Sequence, residues 1–228
     1  MLLRIGAPCR ADQVIRFGYG DATLVRKLDG AGRLELTLDL FAGTASPIAI
    51  VFEDGSSREL PARATDLDKL EKIALIWRAP VDLDLHAFEY GATFGQPGHV
   101  WAQAPLSAQA AREQTASNRR GRGFLSRSDD GQNGGDGSGD KIEVYTFFRF
   151  PEQPAGAVSI AVDYASRGEL PAGAACGTGP LAEVRFETVV TSRGRVSREA
   201  GVLAPVPCGT PLAADARFGV MHQIRVNR

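Results

Sequence analysis

Asp82, Asp84 and His86 fall at alternate positions of the segment Lys72–Gly91, KIALIWRAPVDLDLHAFEYG, and no other stretch of the chain is better suited to chemistry. On an extended strand they share one face, with neighbours about 6.6–7 Å apart. That is too far for the two aspartates to share a proton. It suits two carboxylates that reach toward one cation completed by a third group. Asp129, Asp130, Asp140 and Glu143, in and beside the glycine-rich run RSDDGQNGGDGSGD, are the candidates to complete it. Hard oxygen donors separated by glycines point to Ca2+ rather than Zn2+. The spacing is not that of an EF-hand. The competing reading is that these aspartates bond backbone amides at strand ends and that the acidic loop is solvated.

The histidines are His86, His99 and His222, widely spaced, with no HExxH or CxxC nearby. Asp84, His86, His99 and Asp130 together define a second reading, a metal-assisted hydrolase acting on glycan or peptide. It requires the two histidines to share a sheet face and to converge in a concave pocket. Other catalytic patterns fail. There is no G-x-S-x-G elbow. In Gly135–Lys141 an aspartate precedes the lysine where a phosphate loop needs glycine, and the carboxylates would repel phosphate. No catalytic residue is assigned.

The cysteines are Cys9, Cys176 and Cys208. The last two stand in matching Cys-Gly-Thr contexts on either side of an expected hairpin, Leu181–Thr191 and Arg195–Leu203, turning at Ser192-Arg193-Gly194. If Thr191 pairs with Arg195, the open end of the hairpin brings Cys176 and Cys208 nearly opposite each other, at a separation suited to a disulfide. The alternative is two reduced thiols packed as small hydrophobes. A disulfide places the chain in the periplasm or outside the cell, with Cys9 left over. No signal peptide is recognisable at the start of the sequence.

The elements that must carry these groups are strands. Leu34, Leu36, Leu38 and Leu40 alternate with Glu35, Thr37, Asp39 and Phe41. Thr23–Leu28 precedes them across a hairpin-like Asp29-Gly30-Ala31-Gly32. Pro47–Glu53 is closed by Asp54-Gly55. Ile73–Arg78, Val81–Tyr90, Lys141–Phe150, Ala157–Tyr164 and Gln223–Val226 complete the set. Thr65–Lys72 suggests one capped helical turn, and Ser107–Ser117 a short surface helix capped by Ser107. The class is all-β, an antiparallel two-layer β-sandwich of roughly ten strands with one or two short surface helices. Residues 1–64 are N-terminal strands that either stand apart or join the same sandwich as residues 65–228.

Composition narrows the partners. The chain has 228 residues, 43% hydrophobic and 23% charged, with a net charge of −1. A core of ordinary size is affordable, and the basic excess of a nucleic-acid binder is missing. Asn118–Arg122, NRRGR, is the one basic run that could meet a polyanion, and a solvated loop is its favoured reading. No apolar run is long enough to span a membrane as a helix. Phe147, Phe148, Phe150 and Trp101 are aromatic enough for a sugar platform, although alternation assigns the phenylalanines to sheet packing.

VDLDLHAFE, Gly98-His99-Val100-Trp101, Asp129-Asp130-Gly131 and Gly139-Asp140-Lys141-Ile142-Glu143-Val144 together resemble the YfaP-like bacterial domain of unknown function. The resemblance covers about residues 70–165. It implies a β-sandwich, often exported and sometimes attached to larger surface proteins, with no established activity. The chain departs from that pattern in its long segment between Trp101 and Asp129. The expectation is an exported, non-catalytic module that binds a protein, cell-envelope or glycan partner, with Ca2+ at the aspartate strand.

Overall fold

The structure is a computed structural model. It describes residues 1–43, 46–63, 66–67, 69–78, 83–130, 139–150, 157–165, 184–203 and 222–224, with backbone alone for 128–130 and 222–224. The chain is all-β with a single α-helix among these residues, and its paired strands are antiparallel.

The centre is a five-stranded sheet in the order β10 (Arg122–Asp130), β11 (Lys141–Phe148), β7 (Leu70–Trp77), β13 (Val184–Ser192), β14 (Arg195–Leu203). A four-stranded sheet faces it, in the order β15 (His222–Ile224), β12 (Val158–Tyr164), β8 (Leu83–Glu89), β9 (His99–Val100). Period-two alternation explains the core between them. Ile73, Leu75 and Trp77 of β7, with Tyr145, Phe147, Phe186 and Val190, meet Leu83, Leu85, Ala87, Ile160 and Val162. Leu83 and Leu85 are fully buried, as the alternation of β8 requires.

The opposite face of the five-stranded sheet is also covered. Ala74, Ile76, Ile142, Val144 and Val189 form a second core with the N-terminal strands. Those strands are β1 (Leu2–Gly6) paired with β4 (Arg33–Thr37), and a sheet in the order β3 (Ala22–Lys27), β2 (Val14–Tyr19), β5 (Ile48–Val51), β6 (Ser57–Leu60). Two ties reinforce the contact. Asp140 accepts from the Thr23 amide and from Arg78, and the Thr191 hydroxyl donates to the Phe41 carbonyl.

Several expectations change. Fifteen strands stand among the described residues, more than ten, because β1, β2, β6, β9 and β10 carry weak alternation. Leu70–Lys72 is strand rather than part of a capped helical turn; Thr65 lies outside the described residues. Arg127–Asp130 belongs to β10 and not to the acidic loop, since β11 offers it a partner edge. β3 and β4 do not form a hairpin, because β3 pairs with β2 and β4 with β1. Gly32 is the pivot: its φ is +70°, and a Cβ there would stand 2.1 Å from the Ala7 carbonyl oxygen. The β13–β14 hairpin forms as expected, but one residue out of the expected register, with Thr191 opposite Val196. The turn is the two-residue pair Arg193-Gly194, both at positive φ, the conformation that matches strand twist. Cys176 and Cys208 lie outside the described residues.

The helix α1 (Ala108–Asn118) is where the sequence places it. The Ser107 hydroxyl accepts from the Ala110 amide, which satisfies one of the helix's open donors. Ala111 and Thr115, one turn apart, are its buried side chains.

Candidate functional site

β8 carries chemistry-capable side chains on both faces. On the inner face Glu89 extends the line of Leu83, Leu85 and Ala87 into the core. Its carboxylate crosses to the opposite sheet and accepts from the Gly123 amide at 2.7 Å, the Tyr145 hydroxyl at 2.9 Å and the Arg122 guanidinium at 2.6 Å. Burial pushes the Glu89 carboxyl above its ordinary range, against the pull of those three donors. Glycine at 123 is required, because a Cβ there would fall 2.3 Å from the Tyr145 ring and hydroxyl.

Glu143 makes the reciprocal tie. It projects from β11 and accepts from the Leu85 amide of β8 at 3.0 Å, while Arg127 donates to its other oxygen at 2.8 Å. Each sheet thus sends one glutamate to a backbone amide of the other, and an arginine from β10 neutralises each. Glu89 is 2% exposed and Glu143 1%. Charges buried that deeply persist because they are paired and hydrogen-bonded.

The outer face of β8 carries Asp84, His86 and Phe88. Strand register assembles the rest. β12 sets Asp163 opposite Asp84 and Ala161 opposite His86, and β9 sets His99 opposite Phe88. His86 Nδ1 and His99 Nε2 are 2.9 Å apart. The Gly95 amide donates to His99 Nδ1 at 3.0 Å. This network assigns the tautomers: the His99 proton sits on Nε2 and is donated to His86 Nδ1, so the proton of neutral His86 sits on Nε2. Burial lowers the His99 pKa to about 4, which keeps the ring neutral.

Aromatic rings close over the pair. Trp101 stacks on His86 and His99 with centroids 5.0 and 5.2 Å away, Phe88 stacks on His99 at 4.6 Å, and Phe94 tilts against His99 at 4.8 Å. Asp84 and His86 are fully buried, and Asp163 and His99 nearly so.

Among the described side chains of the expected ion site, Asp84, Asp140 and Glu143 point to different places. Asp84 faces outward from β8, Glu143 sits between the sheets, and Asp140 is turned to Thr23 and Arg78. Asp129 and Asp130 lie on β10 opposite Ile142 and Lys141; their side chains, and all of Asp82, are outside the described residues. Among the described residues no three His, Cys, Asp or Glu side chains form a metal-sized group. For the hydrolase set, His86 and His99 do share one face. A hollow of about 390 Å³ lies instead among the N-terminal strands, lined by residues including Ile5, Arg10, Ile50, Phe52 and Arg58, with neither histidine among its lining. Cys9 is an exposed thiol.

Sequence reasoning passed over Glu89, Asp163 and the two arginines of β10. Glu89 was within reach, because the same alternation that buries Leu83, Leu85 and Ala87 buries position 89. Asp163 was not, because only the β8–β12 register sets it opposite Asp84.

No protein-family model, no curated protein and no solved structure matches this chain. The YfaP-like resemblance therefore stands on its motif residues alone.

Proposed function

We propose that the chain is an exported, non-catalytic β-sandwich module that binds a partner in the cell envelope or outside the cell. One observation supports the non-catalytic part: Asp84, His86, His99, Glu89 and Glu143, among the described residues, are buried. Glu89 and Glu143 tie the two sheets, and His86 and His99 bond each other beneath Trp101 and Phe94. A group that acts on a substrate must reach it. Calcium at the aspartate strand stays in the proposal as a sequence-based expectation carried by Asp82, Asp84, Asp129 and Asp130, since Asp140 and Glu143 commit oxygens to Arg78 and Arg127.

The 2.9 Å histidine contact is the observation that favours a metal-assisted hydrolase as the second reading. Incubation with polysaccharides and peptides in the presence of Zn2+ separates the two. No turnover is expected. Turnover that disappears in a stably folded His86→Ala variant would establish the second reading and remove the first.

Export is carried by Cys176 and Cys208 in the sequence and by the resemblance. A Cys176–Cys208 linked peptide is the expected product of a non-reducing digest. Two free thiols in protein purified from its natural compartment would remove this support.

A further inference from the structure

Three arginines on and just after α1 differ from most others among the described residues. Arg112, Arg119 and Arg120 are exposed, and each guanidinium lies over an aromatic ring: Arg112 over Phe148 at 5.1 Å, Arg119 over Phe150 at 5.4 Å, and Arg120 over Tyr90 at 3.4 Å. The first and last of these rings are themselves held. Phe148 stacks with Phe124 at 5.7 Å, and the Tyr90 hydroxyl donates to the Gly121 carbonyl at 2.8 Å. Eight other arginines among the described residues pair with carboxylates. These three make no ion pair among the described residues.

A guanidinium held over a ring keeps its positive charge on the surface, while the ring limits the side chain's wandering. The result is a set of oriented cationic donors with no internal acid to satisfy them. Arg112 lies within α1 and Arg119 seven residues on, just past its last helical residue, so about 10.5 Å of helix axis separates their backbones. Arg119 ends the helix in the left-handed region, φ 49° and ψ 37°, which turns Arg120 away toward Tyr90.

We propose that this patch binds an acidic polysaccharide carrying its carboxylates at intervals along the chain. The proposal rests on reading the protein as a binding module and names the class of its partner. The geometry disfavours other polyanions. A nucleic-acid strand places a phosphate about every 3.4 Å of axis, far denser than these cations. Single-strand binders offer bare rings for bases to stack on, and here guanidinium groups cover the rings. An acidic protein partner would call for an apolar centre to the interface. Among the described residues the exposed large hydrophobic side chains are Met1, Leu2, Val51 and Val202, and none of these lies on the patch.

Titration calorimetry with hyaluronan oligosaccharides, which carry one carboxylate per disaccharide, tests the assignment. Neutral dextran, poly-glutamate and oligo-dT serve as comparisons. The full chain is expected to bind hyaluronan in preference to all three, with affinity falling as salt rises. The triple variant Arg112→Gln, Arg119→Gln, Arg120→Gln should lose at least about tenfold in affinity. Arg112→Gln alone, which leaves the helix end untouched, should lose less in the same direction. Absence of hyaluronan binding, equal affinity in the triple variant, or tighter binding of oligo-dT or poly-glutamate would overturn the assignment. Shortening of the hyaluronan would overturn the non-catalytic reading instead, and the affinity of the variants would still decide the patch.

Discussion

β8 and α1 dispose of their polar side chains in opposite ways. β8 buries every one it carries among the described residues: Asp84 opposite Asp163, His86 under the aromatic rings of the outer face, and Glu89 in the core. α1 and the residues after it leave Arg112, Arg119 and Arg120 exposed, each over an aromatic ring. The lesson is that residue type locates neither function nor stability. Aspartate, histidine and glutamate look catalytic on paper, yet on a strand covered on both faces they become part of the scaffold. Arginines in a polar helix look like a solvated surface, yet their lack of acidic partners leaves them available to a ligand.

Substitutions on the two elements should therefore separate stability from binding. Glu89→Ala is the most damaging change expected. It strands the Arg122 guanidinium and leaves the Gly123 amide and Tyr145 hydroxyl without their acceptor. A loss of about 3–5 kcal/mol is expected in urea denaturation. A loss below about 1 kcal/mol would show that the inter-sheet tie is ornamental.

A smaller effect comes with acid. The His99 pKa is lowered to about 4 in the folded chain from 6.5, so the unfolded chain takes up this proton first as pH falls. The stabilisation is complete above about pH 6.5 and is lost progressively down to about pH 4, a change of roughly 2–3 kcal/mol. Melting across that window should show the slope, and His99→Gln should flatten it. If the slope persists unchanged in that variant, the buried ring is not its source.

The smallest change is expected on α1. Replacing Arg112, Arg119 and Arg120 singly with glutamine should move stability by less than about 0.5 kcal/mol each, as exposed groups without ion pairs do. A larger loss at Arg119, where the backbone takes a left-handed turn, would mean that this residue serves the helix end more than a ligand.

Much of the fold was legible along the chain, and particular residues show why. Leu83, Leu85 and Ala87 announced a strand with one apolar face, and β8 keeps it. Ser107 announced a helix start because its hydroxyl acts on an amide three residues away. Both signals are local, set by periodicity or capping. The weak strands β1, β2 and β6 were missed because they are short and polar on one side, and only pairing makes them strands. The site was less legible. His86 and His99 were seen as candidates, but neither their 2.9 Å contact nor their burial can be read from spacing.

The sequence by itself determined the all-β class, the inward face of β8, the capped helix and the turn between β13 and β14, because each depends on side-chain alternation or on backbone preferences within a few residues. Only the tertiary structure decided the rest. It placed Asp163 across from Asp84, gave Glu89 and Glu143 to the opposite sheet, covered both faces of the five-stranded sheet and laid Arg112, Arg119 and Arg120 over aromatic rings. These outcomes depend on strand order and register between distant segments, and no local periodicity encodes which strand lies beside which.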